Sequence, residues 1–206
     1  VLRRLDEGDG EIVVPFPVPR EQLQPPRHIR STLIASSLRS IRDRGLSDAY
    51  TPLLDPGWKT TILESVAGVW LPAAAGLAHY RACEALAFSP LEQLAIGREV
   101  GDRLHGTFLG TMIRAARGAG VTPWTALSYI NKLYERLFDG GGCSVIKTGP
   151  KDALMEMAQN PLVAIPYFRH AVRGLWQVAI ELFCRKAYLL EVDATETECR
   201  MTVSWA

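Results

Sequence analysis

The chain is poor in the residues that advertise a reaction or a compartment. It has four cysteines, Cys83, Cys143, Cys184 and Cys199, and no two of them form a CxxC pair. Such wide spacing builds no dense disulfide framework, so a reduced, cytoplasmic setting is expected. No apolar run approaches the roughly 18 residues needed to cross a bilayer. No secretory signal is legible at the start. The chain opens on Val1 rather than Met, so a native start further upstream is expected. An excess of one charge is also missing: 23 Lys and Arg face 22 Asp and Glu, for a formal net charge of +1. That removes the concentrated basic surface on which nucleic-acid binding depends. Arg20, Arg27, Arg30, Arg39, Arg42 and Arg44 make the stretch before Tyr50 locally basic, and they read as a solvated surface.

Catalytic signatures are absent as well. GxSxG, HExxH, the phosphate-binding loop and the dinucleotide fingerprint do not occur. Gly140-Gly141-Gly142 leads into a strand, whereas phosphate-cradling loops lead into a helix N-terminus, so the run reads as a turn. His28, His79, His105 and His170 share no ligand spacing with one another or with a cysteine, and no metal site is expected. Cys143, Cys184 and Cys199 read as small apolar core residues. Glu99, Asp102 and Glu181 are isolated carboxylates, expected on solvated faces or paired with Arg98, Arg103 or Arg185. No catalytic residue is assigned, and an enzyme is the weakest function class.

What is present is helical periodicity followed by alternation. Residues 1–30 read as an extended arm, because VVPFPVP and Pro25-Pro26 fix φ and block regular helix. The arm is either a strap on its own domain or a docking peptide. Ser31 is read as the cap of a helix ending at Gly45. Asp55-Pro56 opens a helix with Trp58, Ile62, Val66 and Val69 on one face. Pro72 opens another, and Ser89 with Glu92 forms a capping box for a long helix. Thr122-Pro123 opens a helix read through Phe138. CSVIKT and ALMEMA read as two strands. The C-terminal segment is an amphipathic helix from Pro166, with Val172, Leu175, Trp176 and Ala179 on one face. It runs into a hairpin with alternating Tyr188, Leu190 and Val192, then Cys199, Met201, Val203 and Trp205.

These elements predict an α+β fold: a helical layer packed on a small, mostly antiparallel sheet of about four strands, with an N-terminal helical extension. Residues 31–206 are read as one domain, with 31–88 the extension and 89–206 the core. The long helix carries Gly97, Gly101, Gly106 and Gly110, each costing about 0.5–1 kcal/mol relative to Ala. Close approach of another helix is the expected compensation. A cavity between this helix and the sheet is the expected ligand site, with His105, Phe108, Tyr134 and Trp176 as its candidate lining.

From about Ser89 onward, SPLEQLAIGREVGDRL, TPWTALSYINKLY, the strand ending LMEMA, PYFRHAVRGLW and the terminal TVSW resemble one superfamily. It contains haem-nitric-oxide-binding domains, 4-vinyl-reductase-type sensor domains and TRAPP vesicle-tethering subunits. The layout is closer still to a paralogous family of myxobacterial proteins. The resemblance implies a sensory or scaffolding module. It also implies where a haem ligand would stand: haem relatives carry a histidine near the end of the helix corresponding to Thr122–Phe138. This chain has Leu133 and Tyr134 there, and the Tyr-x-Ser-x-Arg propionate motif is missing. No cofactor is therefore expected, although Tyr134 retains chemistry that can ligate iron. The zinc-site pattern of the sensor relatives is not reproduced by Cys184 and Cys199. The expected function is a non-enzymatic regulatory or sensory module binding a small apolar ligand. The alternative is an interaction scaffold, acting as a homodimer or with a protein partner.

Overall fold

The computed structural model describes residues 10–104 and 122–206. Its strands are β1 (Glu11–Val14), β2 (His28–Arg30), β3 (Trp70–Pro72), β4 (Gly142–Gly149), β5 (Asp152–Ala158), β6 (Ala187–Ala194) and β7 (Cys199–Trp205). The main sheet has five strands in the order β1-β4-β5-β7-β6, and every pairing is antiparallel. The two expected hairpins supply four of the strands. The fifth comes from the arm, where Glu11–Val14 closes the free edge of β4 until the prolines at 15, 17 and 19 end the pairing. At Glu11–Val14 the arm is therefore a strap on its own sheet. β2 and β3 form a separate ribbon of three-residue strands, too short for alternation to be read.

One face of the main sheet is apolar because its strands alternate in phase. Cys143, Met157 and Cys199 form one cross-strand row, and Val145, Met155, Met201 and Glu191 form the next. All but Glu191 are buried. The exception is met from the helix layer: Arg169 Nε lies 2.9 Å from the Glu191 carboxylate. The opposite face holds Tyr188, Leu190 and Val192, which are half or more exposed.

The helices are α1 (Ser31–Asp43), α2 (Ser47–Tyr50), α3 (Pro56–Leu63), α4 (Ala73–Ala85), α5 (Pro90–Leu104), α6 (Pro123–Ser128), α7 (Ile130–Tyr134) and α8 (Pro166–Glu181). The capping box forms as expected: Ser89 N–H donates to Glu92 Oε2 at 2.8 Å, and Glu92 N–H faces Ser89 Oγ at 3.4 Å. Three expectations need correction. Ser31 is not a cap: its hydroxyl donates to Val66 O and accepts from Val69 N–H, pinning the loop that follows α3. That loop takes Val66 and Val69 out of the α3 face, because the helix ends at Leu63 and Gly68 turns with φ +93°. The helix read over Thr122–Phe138 breaks at Tyr129 (φ −98°, ψ 5°) into α6 and α7. The continuation of the long helix past Leu104 lies outside the described residues.

Among the described glycines, the closest backbone approach is at the crossing of α5 and α8. A Cβ placed on Gly97 would lie 1.9 Å from Ala171 O, and one on Gly174 would lie 2.2 Å from Leu94 O. Gly101 is less constrained, its Cβ meeting Val178 Cβ at 3.1 Å. The expected compensation for the helix glycines is thus real: they let two backbones touch. Arg98 and Glu181 bridge the same pair of helices at 2.7 Å. Glu99 is drawn to α1, where Arg44 donates at 2.6 Å and Ser40 Oγ at 2.6 Å. These hydrogen bonds, Arg44 first, hold the Glu99 carboxyl below its ordinary range against the cost of burial. Gly97→Ala and Gly174→Ala are each expected to cost about 2 kcal/mol or more, because backbone rather than side chain must move. Gly101→Ala is expected to cost much less. Urea unfolding of the three variants checks the order, and equal small losses would contradict the packing account.

Candidate ligand cavity

Beside the α5–α8 crossing lies a cavity of about 410 Å³, within the size range of small-molecule sites. Among the described residues, α8 contributes Leu175, Trp176 and Ala179, and Leu104 ends α5 at its wall. The α7 turn adds Leu133, Arg136 and Leu137, and Arg30, Thr32 and Gly68 come from the opposite side. Leu137, Leu175 and Trp176 also border a narrow slit of about 20 Å³ that reaches Tyr134, Ser37 and Phe168. The slit is core packing; the room is in the larger cavity.

Arg30 is held at the cavity by three contacts. Its Nη1 donates to Gly68 O at 3.0 Å, its Nε donates to Arg136 O at 3.2 Å, and its guanidinium lies 4.0 Å from the centre of the Trp70 ring. Just beyond, Asp139 accepts from the backbone N–H groups of Arg27 and His28 and lies 2.5 Å from His28 Nδ1. Burial opposes the Asp139 charge, but these hydrogen bonds hold its carboxyl below the ordinary range. The β2 segment and the α7 turn are joined at that point.

Of the four expected lining residues, Trp176 lies on the cavity wall. Tyr134 borders only the slit, and its hydroxyl accepts from Asn160 Nδ2 at 2.9 Å. Burial pushes its pKa well up, so the phenol stays neutral. His105 and Phe108 lie outside the described residues. Arg30 reads as a solvated charge in the sequence and Arg136 carries no signal there; nothing local to Arg30 reveals the Trp70 ring and Gly68 carbonyl that hold it.

No family model matches the chain, and no curated protein matches it. Solved structures do. The chain is similar to the Fe(II) unliganded H-NOX protein from K. algicida, with a TM-score of 0.62 and 12% identity over 86% of this chain and 97% of that one. It is similar to an oxygen-binding H-NOX domain related to soluble guanylate cyclases, with a TM-score of 0.55 and 13% identity over 86% and 95%. A third likeness, to a protein solved to study haem redox potential through porphyrin distortion, has a TM-score of 0.55 and 14% identity over 86% and 100%. The fold is H-NOX-like.

That likeness overturns the expectation of a chain without cofactor. The expectation rested on Leu133 and Tyr134 in one stretch and on a missing propionate motif, whereas the cavity wall is drawn from several elements. An iron ligand missing from one of them can stand on another. The walls formed by Leu104, Leu133, Leu175 and Trp176 suit an apolar ring, but no described lining residue has an imidazole, thiol or phenol to offer a metal. The described histidines are engaged elsewhere: His28 with Asp139, His79 with Tyr50, and His170 with Arg173.

The His79 contact is a fully buried polar cluster of this H-NOX-like chain. His79 has no exposed surface, and its Nδ1 lies 2.6 Å from the Tyr50 hydroxyl. Cys83 Sγ lies 3.6 Å from Nε2, and the Tyr80 ring packs edge-on against the imidazole. The Tyr50 hydroxyl can donate to Nδ1 only while the ring is neutral. Burial pushes the His79 pKa down to about 3, against about 6.5 in an unfolded chain. The unfolded state therefore binds the extra proton first, and the His79 contribution is intact above pH ~6.5 and lost as pH falls toward ~3. The loss is on the order of 5 kcal/mol at its limit. Denaturant titrations from pH 7 to pH 4 should show stability falling, with a shallower slope in His79→Gln. An unchanged slope in the variant would remove His79 as the cause.

Proposed function

We propose that this chain is a non-enzymatic sensory module whose ligand occupies the cavity between α8 and the α7 turn. The observation that carries the reading is the cavity itself, of about 410 Å³ and walled by Leu104, Leu133, Leu175 and Trp176, in a fold similar to ligand-binding H-NOX domains. Haem is the cofactor we propose for it, in line with those solved structures. Bound there, haem would supply an iron able to take a diatomic gas. Trp176 and the leucines would hold the ring, and we assign the iron to His105. That residue follows Leu104 in sequence, and Leu104 lines the cavity. It is also the histidine left once His28, His79 and His170 are accounted for. Phe108 stays with it as a proposed lining residue. We keep residues 31–206 as one working unit and the kinship with the myxobacterial paralogues on the residues quoted above.

Protein produced with haem supplied, or reconstituted with haemin, is expected to show a Soret band. His105→Ala is expected to lose the band while its far-UV circular dichroism is unchanged. Wild-type protein that is folded yet stays colourless on reconstitution would end the haem reading. The cavity would then be left to other apolar ligands.

The scaffold alternative also has an observation in its favour. Tyr188 (50% exposed), Leu190 (63%) and Val192 (50%) form an apolar stripe on β6, the edge strand of the main sheet. An exposed edge strand is a template for pairing. Two copies related by a twofold axis would bring this stripe against itself, so we propose a homodimer through β6. Light scattering should give the mass of a dimer for the wild type and of a monomer for Leu190→Glu. No helix among the described residues is long and apolar enough to cross a membrane.

A further inference from the structure

The contact between Tyr50 and His79 lies outside the cavity. Tyr50 ends α2 and His79 stands on α4, and neither is more than 1% exposed. Their hydrogen bond of 2.6 Å sets the state of the imidazole. Nδ1 accepts from the phenol, so the ring proton of neutral His79 is on Nε2. There it faces the Cys83 sulfur, a weak acceptor, at 3.6 Å. The free lone pair of the imidazole and the phenolic proton are therefore aimed at one another, away from water. An apolar pair would fill the same volume without burying two polar side chains.

A phenol in an apolar core resists losing an electron, because the oxidised phenol is a strong acid whose proton has nowhere to go. A base within hydrogen-bond reach removes that block. Tyr134, also buried, has no such partner: its hydroxyl meets the Asn160 amide, which takes no proton. Burial weakens His79 as a base. An oxidised phenol is nonetheless a far stronger acid than an imidazolium, so the transfer still runs downhill. Oxidisable side chains also lead inward from the pair. The Tyr80 ring lies 4.9 Å from the His79 ring, and Tyr80 borders the same slit as Trp176, which lines the cavity.

We propose that Tyr50 and His79 form a redox site that stores one oxidising equivalent. Tyr50 gives an electron to an outer-sphere one-electron oxidant, its O–H bond breaks, and the proton forms an N–H bond at His79 Nδ1. The products are the reduced oxidant, a neutral tyrosyl radical and an imidazolium. Return of one electron moves the proton back and restores the pair. The surrounding core keeps water and other chains from the radical. The inference stands apart from the cavity reading, and neither depends on the other.

The test uses the whole chain carrying Tyr129→Phe and Tyr188→Phe, which removes two exposed phenols. A laser flash on a ruthenium tris-bipyridine complex with a cobalt(III) quencher supplies the oxidant. Transient absorbance follows the radical, and high-field electron paramagnetic resonance of frozen samples identifies it. A tyrosyl radical is expected, formed more slowly in heavy water. Tyr50→Phe is expected to lose it. His79→Gln retains an acceptor for the hydroxyl but takes no proton. It is expected to form the radical about a hundredfold more slowly, the lower end of what a positioned proton acceptor contributes. Far-UV circular dichroism checks that both variants fold. Histidine labelled with heavy nitrogen gives a measurement that needs no substitution at the pair: the radical is expected to couple to an imidazole nitrogen. Absence of a tyrosyl radical, full signal in folded Tyr50→Phe, an unchanged rate in folded His79→Gln, or a radical without that nitrogen coupling would each overturn the inference.

Discussion

Everything in the helical layer depends on the contact between Gly97 and Gly174. The two backbones approach so closely that neither position has room for a methyl group. This brings α5 and α8 together at a distance that larger residues forbid, and the Arg98–Glu181 pair closes over the same crossing. α8 in turn reaches the sheet through Arg169 and Glu191. One steric constraint therefore places Leu175, Trp176 and Ala179 relative to Leu104, and so shapes the cavity between them. The glycines weaken each helix taken alone; close packing of the pair offsets that loss.

The layers were legible in the sequence, and the reasons are local. Alternation in β7 is strong because one sheet face is covered and the other is half-exposed, whereas β5 is buried along nearly its whole length. The box at Ser89 and Glu92 is a short-range hydrogen-bond pattern, as is the Asp55 cap of α3, where the carboxylate accepts from Gly57 N–H. Gly97 and Gly101 showed themselves by their spacing. Gly174 did not, since a single glycine in an amphipathic helix carries no period. β1 was hidden because its pairing with β4 joins residues more than a hundred positions apart. The break at Tyr129 was hidden because the apolar stripe of α6 and α7 continues across it.

The site was less legible than the fold. Trp176 could be placed because it sits on the stripe of α8. Arg30 could not, because its role comes from Trp70, Gly68 and Arg136, which meet it only in three dimensions. Reading the cofactor from Leu133 and Tyr134 failed for a related reason. Leu133 and Tyr134 stand on one helix and the propionate motif is a local pattern, whereas the described wall of the cavity is assembled from five separate stretches of chain.

That assembly has a thermodynamic consequence. Arg30, Gly68, Leu104, Leu133 and Leu175 converge on one volume only when the whole helical layer has docked. A ligand bound there has affinity for the complete fold and none for any fragment of it. Its binding free energy adds to global stability as RT ln(1 + [L]/Kd). Occupancy of this volume would thus raise the stability of the whole fold rather than of one element.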